Sequence, residues 1–441
     1  MVGSATERNE IRMKLLIRQG RLIDPVAGIG GVMDILVDDS GYVEVIGSNL
    51  ADQAAQVIDA RGLVVCAGLV DMHVHLREPG FEYKETIATG AQAAARGGFT
   101  SVACMPNTAP VIDTPEQVQL ILEKAQAACG VHVWPIGAVT VGQHGQALTD
   151  FAALKEAGAV ALSDDGVPVQ NANLVRDGLI LAARHGLKLL SHCEDAEMVK
   201  NYAVNEGRIS RQLRLPGRPA IAEELMVARD AMLAEETGGA LHICHISTAR
   251  SVALVRRYKK KGVPITCETC PQYFTFTEEE VLRQGSLARV NPPLRTQKDV
   301  DAIVAGLKDG TIDAIATDHA PHSAEEKARP LADAPSGMVG LETSLALSLT
   351  QLYHTGVLTL SDLIGKMTIN PACILRVNRG RLSIGAHADI LIFDPDEEWV
   401  IDPDQFVSKG RNTPFGGRTV KGRVKYTIVD GEIVYQERKD G

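Results

Sequence analysis

His73 and His75 form a His-x-His pair at the end of an apolar run, and Arg77 follows two residues later. Side chains at i and i+2 of a strand face the same way, so both imidazoles can grip one ion. Further strong ligands close other apolar runs: Asp164 and Asp165 after AVALS, His192 after LKLLS, His245 after LHIC, and Asp318 after IDAIAT. One catalytic zinc needs only three protein ligands and a water. Four histidines and two carboxylate positions exceed that need and predict two ions with a carboxylate bridging them. Spacing alone leaves Asp164 and Asp165 open as the bridge. A metal pair lowers the pKa of water from about 16 to about 7, which supplies hydroxide at neutral pH.

The runs that end in these ligands belong to a longer rhythm. Eight apolar strand candidates occur, at 63–75, 100–105, 131–139, 159–165, 187–192, 241–247, 263–269 and 312–318. Helical stretches such as TPEQVQLILEKAQAA, NLVRDGLILAARHG and AEELMVARDAMLAEETG lie between most of them. Such alternation argues for an α/β chain with a parallel sheet covered by helices. A (β/α)8 TIM barrel and a doubly wound sheet both satisfy it. The ligands fall at the C-terminal strand ends, where barrels build their active sites, so a barrel is expected over 64–380. Residues 13–63 and 381–441 read instead as short alternating strands. The two ends are expected to pair in one β-rich flanking domain, a small β-sandwich. Residues 1–12 form a polar leader without the apolar core of a secretory signal.

Composition narrows the function classes. A net charge of −10 argues against nucleic acid or an anionic membrane as a partner, and no run approaches a membrane helix. The eight cysteines are scattered through mostly apolar runs, as reduced thiols are, which points to the cytoplasm. Cys267 and Cys270, the only C-x-x-C, lack the second ligand pair of a closed zinc site and read as strand thiols. His242, three residues before His245, should face the opposite way and pack under a helix. His319 should face away from Asp318, whereas His322 lies in the loop beyond and can reach a substrate. His132, His144, His185, His354 and His387 do not sit at matching strand ends and read as structural.

The run DMHVHLREPG (71–80), with MPNT, SDDG, HCED, HIST, NPPLR and ATDHAPH in that order, resembles class I dihydroorotase of the amidohydrolase superfamily. The tail motifs GAHADILIFDP, SKGRNTPF and TIVDGEIVY are similar to the same family, so the resemblance covers about residues 14–437. It implies a binuclear zinc barrel (two Zn2+ per chain) held by His73, His75, Asp165, His192, His245 and Asp318, and it favours Asp165 over Asp164. Hydantoinases, dihydropyrimidinases and allantoinases bridge their metals with a carboxylated lysine after strand four. No lysine occurs here between Lys155 and Lys188. One departure is ETCPQYF (268–274), which stands where the family commonly has two adjacent histidines and looks closer to the hydantoinase branch.

The implied reaction is reversible closure of N-carbamoyl-L-aspartate to dihydroorotate in pyrimidine biosynthesis. Asp318 would move the proton between nucleophile and ring nitrogen. Arg77 shares the inward face of His75 if the strand stays extended, and its planar fork suits the substrate carboxylate. By resemblance His75, Asn107, Asn291 and His322 also line the substrate. Ser336 and Gly337 are taken as further contacts; they close a segment, 323–336, that reads either as a mobile lid or as an ordinary solvated loop. A homodimer is expected, with aspartate transcarbamoylase as a further candidate partner. Competing readings are a hydantoinase- or allantoinase-type cyclic amidase, and an inactive dihydroorotase-like subunit, which should have lost ligands that this chain retains.

Overall fold

All eight apolar runs contribute strands to one parallel sheet in the computed structural model, which describes residues 13–51, 56–128 and 130–438. The expected polar leader at 1–12 lies outside these residues. The chain opens with β1 (Leu15–Asp24), β2 (Ile29–Val37), β3 (Val43–Gly47), β4 (Gln56–Asp59) and β5 (Val64–Ala67). The barrel strands follow: β6 (Leu69–Val74), β7 (Phe99–Cys104), β8 (His132–Gly137), β9 (Ala161–Ser163) and β10 (Leu189–Ser191). After a short excursion through β11 (Val204–Asn205) and β12 (Gly217–Arg218) come β13 (Leu241–Ile243), β14 (Ile265–Thr269) and β15 (Ala314–Ile315). The barrel order is β6-β7-β8-β9-β10-β13-β14-β15, and a parallel bridge from Val74 to His319 closes it.

Each strand turns one face inward and the other to the helices. Met72, Ala103, Ile136, Ala161, Leu190, Cys244 and Ala314 share the interior core. Val74, Val102, Val133, Leu162, Leu189 and Ile243 belong to the outer core beneath the helices. The three helical stretches cited above form Pro115–Ala128, Ala172–Arg184 and Ile221–Thr237. Asn171 caps the second by accepting from the Asn173 amide at 3.0 Å, which answers one orphan donor of its first turn.

The run at 63–75 is two strands rather than one. Val64–Ala67 pairs with β1 and with β16 (Ile390–Val400) in the sheet of the chain ends, and only Leu69–Val74 enters the barrel. The change occurs at Gly68, where a Cβ would lie 2.1 Å from Thr100 Cγ2 and no side chain fits. The boundary expected at 63 therefore falls short of a whole strand. The second sheet has eight strands, running β18-β17-β16-β5-β1-β2-β3 with β4 beside β1, where β17 is Thr419–Val429 and β18 is Glu432–Gln436. Leu15, Ile17, Ile35, Val65, Ile390 and Ile428 build its own core from both chain ends.

Leu391, Phe393 and Val424 of this sheet pack with Phe99 and the Ile87–Arg96 helix in the larger barrel core. Truncating Phe393 leaves a cavity on that contact. Phe393→Ala is expected to cost about 3–5 kcal/mol of unfolding free energy, measured by urea titration, with metal content per folded chain unchanged.

Candidate active site

A local irregularity in β6 aims the first two ligands. Its register with β7 shifts between Asp71 and Val74. Met72 lies in the interior core and Val74 in the outer one, so His73 and His75 both turn inward beyond the shift. His192 follows Leu190 on the inward side of β10, while Ser191 faces out and donates to Asp230 at 2.6 Å. The two aspartates separate cleanly. Asp164 faces out and accepts from the Val139 and Thr140 amides at 2.8 and 3.1 Å and from the Thr140 hydroxyl. Asp165 faces in.

At three rim positions simple alternation fails. Arg77, His245 and Asp318 have φ of 63°, 32° and 50°, in the left-handed region that non-glycine residues seldom adopt. β6 ends at Val74, so Arg77 reaches the interior through a left-handed turn, not by extending the strand. His242 corrects the sequence reading in the same way. It shares the inward side of β13 with Cys244 and lies inside the barrel, with its Nδ1 2.8 Å from the Thr266 hydroxyl. The turned backbone at His245 then returns that ring to the same interior.

Asp165 is the hub of the cluster. Its Oδ1 lies 3.4 Å from His73 Nε2, 3.4 Å from His192 Nδ1 and 3.5 Å from His245 Nε2, and its Oδ2 lies 3.5 Å from His75 Nε2. Two ligand sets share it: His73, His75 and Asp165, and Asp165, His192 and His245. Asp318 Oδ1 stands 3.1 Å from His75 Nε2 and 3.6 Å from His73 Nε2. The structure thus gathers all six expected ligands at one place.

The donor set fits metal. His73 Nε2 and Asp165 Oδ1 are buried, lack hydrogen-bond partners and converge on one another. The far ring nitrogens are already committed. His73 Nδ1 donates to Glu268 at 2.7 Å and His75 Nδ1 to the Asn107 side-chain oxygen at 2.9 Å, which leaves both Nε2 atoms as donors toward the centre. Burial opposes charge on His73 and His192, yet Asp165 holds His73 well above the ordinary imidazole range and lifts His192 to about 10. Burial likewise pushes Asp165 and Asp318 up, but the surrounding histidines outweigh it and hold both carboxyls down. A divalent cation answers the same negative potential with its ligands deprotonated.

Above the cluster opens a cavity of about 200 Å3. His75, Arg77, Asn107, Asn291, His322, Ser336 and Gly337, the seven expected substrate residues, all line it together with Asp165, His192, His245 and Asp318. His322 donates from Nε2 to the Ser336 carbonyl at 2.9 Å, and burial beside Arg77 and Lys84 holds its pKa far below the imidazole range. His319 faces away, as expected, and reaches Glu85 at 3.3 Å. Gln272 and Tyr273 of the departing ETCPQYF stretch are buried outside the cavity lining; the Tyr273 hydroxyl donates to the Pro292 carbonyl at 2.8 Å.

Glu268 escaped the sequence reading. It is fully buried inside the barrel, bonded to His73 and 3.4 Å from His242 Nε2, and those imidazoles hold its carboxyl down at about 2 against burial. Its position two residues from the inward Thr266 was the available signal. Lys327 was likewise missed, because a lysine in a charged loop normally reads as solvated.

Residues 62–251 match the Dihydro-orotase-like family model. The chain is 50% identical over 428 residues to a dihydroorotase of Syntrophus aciditrophicus (strain SB), covering 96% of this chain and 100% of that protein. It is 52% identical over 430 residues to a dihydroorotase of Pelotomaculum thermopropionicum, covering 97% and 99%. Among solved structures, L-hydantoinase (dihydropyrimidinase) from Arthrobacter aurescens superposes with a TM-score of 0.87 at 26% identity, covering 97% of each chain.

Asp165→Ala is expected to strip the purified chain of most bound metal, as read by elemental analysis. Asp164→Ala should keep the metal and lose about 1–3 kcal/mol of stability, because it uncaps two buried amides and a hydroxyl. Equal metal content in wild type and Asp165→Ala would remove Asp165 as the bridge.

Proposed function

The chain belongs to the dihydroorotase family, and from that premise we propose that it interconverts N-carbamoyl-L-aspartate and (S)-dihydroorotate plus water at a centre of two zinc ions. It is a hydrolase of cyclic amides, and the reaction places it in pyrimidine (UMP) biosynthesis. One observation carries the substrate reading. Arg77 offers a part-buried guanidinium to the cavity beside the ligand cluster, and among the described residues no carboxylate pairs with it. Its contacts are the Pro321 carbonyl, to which Nε donates at 3.1 Å, and the His322 ring at 3.3 Å. Burial draws its pKa down to about 10, although Asp318 and Glu326 oppose that. A cation poised without a counterion favours a ligand that brings one.

The metal pair, when bound, would supply a nucleophile at neutral pH and polarise the carbonyl under attack. We assign His73, His75, Asp165, His192, His245 and Asp318 as its ligands. Asp318 lines the cavity, and His75, His73 and His245 keep its carboxyl ionised. It can therefore accept the proton of the nucleophile and return it to the ring nitrogen as the amide opens. In synthesis the same carboxylate works in reverse. Asn107, Asn291, His322, Ser336 and Gly337 would form the polar wall that orients the ring.

The hydantoinase-type reading draws on ETCPQYF, but Gln272 and Tyr273 of that stretch do not line the cavity, and the bridge position here holds Asp165 rather than lysine. Our reading includes a flanking domain divided from the barrel near Gly68. It also includes a cytoplasmic homodimer able to associate with aspartate transcarbamoylase, which sedimentation with and without that enzyme checks.

Asp318→Asn keeps an oxygen for metal but accepts no proton at neutral pH. Its kcat is expected to fall about 100-fold or more with metal content retained; full activity would end the assignment. Arg77→Met should keep its metal and lose about 10²–10⁴-fold in kcat/KM on dihydroorotate, the loss of two charge-assisted bonds at roughly 1.5–3 kcal/mol each. Arg77→Lys should recover little, since an ammonium lacks the fork. Comparable wild-type kcat/KM on dihydroorotate and dihydrouracil would leave a broader cyclic amidase.

A further inference from the structure

The segment that carries Ser336 and Gly337 into the cavity is tied down by a lysine outside the cavity lining. A short helix, Ala324–Lys327, begins at Ser323, whose hydroxyl accepts from the Glu326 amide at 3.2 Å. Lys327 ends it with only 4% of its surface exposed. Its Nζ donates to the carbonyls of Pro335 and Gly337, each at 3.0 Å, and to that of Arg289 at 3.4 Å. Among the described residues no carboxylate pairs with it. The adjacent Glu326 is engaged elsewhere, 2.9 Å from Lys84 Nζ and accepting from the Tyr83 hydroxyl at 3.1 Å.

Three consecutive carbonyls are thereby claimed. Pro335 and Gly337 accept from Lys327, and Ser336 accepts from His322 Nε2. Asn412 Nδ2 adds a second bond to the Gly337 oxygen at 3.1 Å, and the Gly337 amide donates to the Arg289 carbonyl at 2.9 Å. Gly337 itself has φ of 132°, and a Cβ there would come within 2.7 Å of Ala320 Cβ. The backbone at 335–337 is thus held in a conformation with little room to relax; Lys327 is the cation on its carbonyls, while Arg289 Nε donates to the Ser336 hydroxyl at 3.4 Å.

A buried ammonium is costly unless its donors are satisfied. Burial, then the neighbouring Arg289, draws the Lys327 pKa down to about 7, opposed by Glu326. A methionine would fill the same space without that penalty, so the carbonyl contacts are what the charge provides.

We propose that Lys327 is a positioning residue for substrate binding: its ammonium clamps the carbonyls of Arg289, Pro335 and Gly337 and so holds the Ser336–Gly337 wall of the cavity in its binding geometry. This rests on the dihydroorotase reading only for the choice of assay. The wall meets the ligand and not the metals, so its loosening should weaken binding more than turnover.

The test compares wild type, Lys327→Met and Lys327→Gln as metal-loaded enzymes. Lys327→Met is expected to raise KM for dihydroorotate about 10-fold while kcat stays within about threefold and metal content is unchanged. Lys327→Gln retains two donors and should give a smaller rise in KM. Exchange of the Ser336 and Gly337 amide hydrogens, measured without substrate, should speed up in the same order. Should the Met variant fail to fold, the Gln variant decides by the same two readouts. Wild-type KM and exchange in the variants overturn the proposal, as does a loss of activity that merely follows loss of metal. Failure of the wild type to act on dihydroorotate would instead overturn the functional reading, and the exchange comparison would still judge the clamp.

Discussion

The structure depends on one carboxylate that must answer several imidazoles at once. Asp165 lies at the C-terminal mouth of the barrel, within 3.5 Å of nitrogens from His73, His75, His192 and His245. A carboxylate buried this way is tolerable only with cations around it. Protons on the histidines can fill that role, and a divalent pair fills it with the ligands free to coordinate. Strands far apart in sequence have to converge for this to happen. A closed parallel barrel accomplishes it, since every strand delivers its C-terminal end to the same rim.

The rim departs from regular structure wherever it meets the cavity. The register shift in β6 turns His73 and His75 inward, and left-handed backbone at Arg77, His245 and Asp318 aims their side chains. Residues held this way cost energy that the surrounding packing must offset. Below the rim, Glu268 gives the centre a second layer. It sits between His73 and His242, all three fully buried, and fixes which nitrogen of His73 faces the ligand set.

Much of this was legible from residue types and spacing. The eight strands, and the candidate ligand positions short of the choice between Asp164 and Asp165, follow from apolar runs that end in histidine or aspartate, because strand periodicity and the barrel rim both leave marks on a sequence. Other features leave none. Which of Asp164 and Asp165 turns inward depends on hydrogen bonds from Val139 and Thr140, one strand away. His242 was misplaced because alternation was carried through His245, where the backbone turns left-handed. The split of 63–75 into two strands hinges on Thr100 crowding Gly68, a contact across the fold. Lys327 looks like any loop lysine until the carbonyls around it are in place.

The sheet shared by the chain ends has a consequence for how the protein is made. On the ribosome, β1 to β5 emerge before the barrel strands, yet β5 finds β16 only after the whole barrel has been synthesised. Until then the nascent chain carries a strand edge with unpaired amides and carbonyls, the kind of surface that recruits stray strands or chaperones. Closing so long a loop is slow. Completion of this sheet, rather than of the barrel, therefore sets the moment when the newly made polypeptide stops being a hazard to its neighbours.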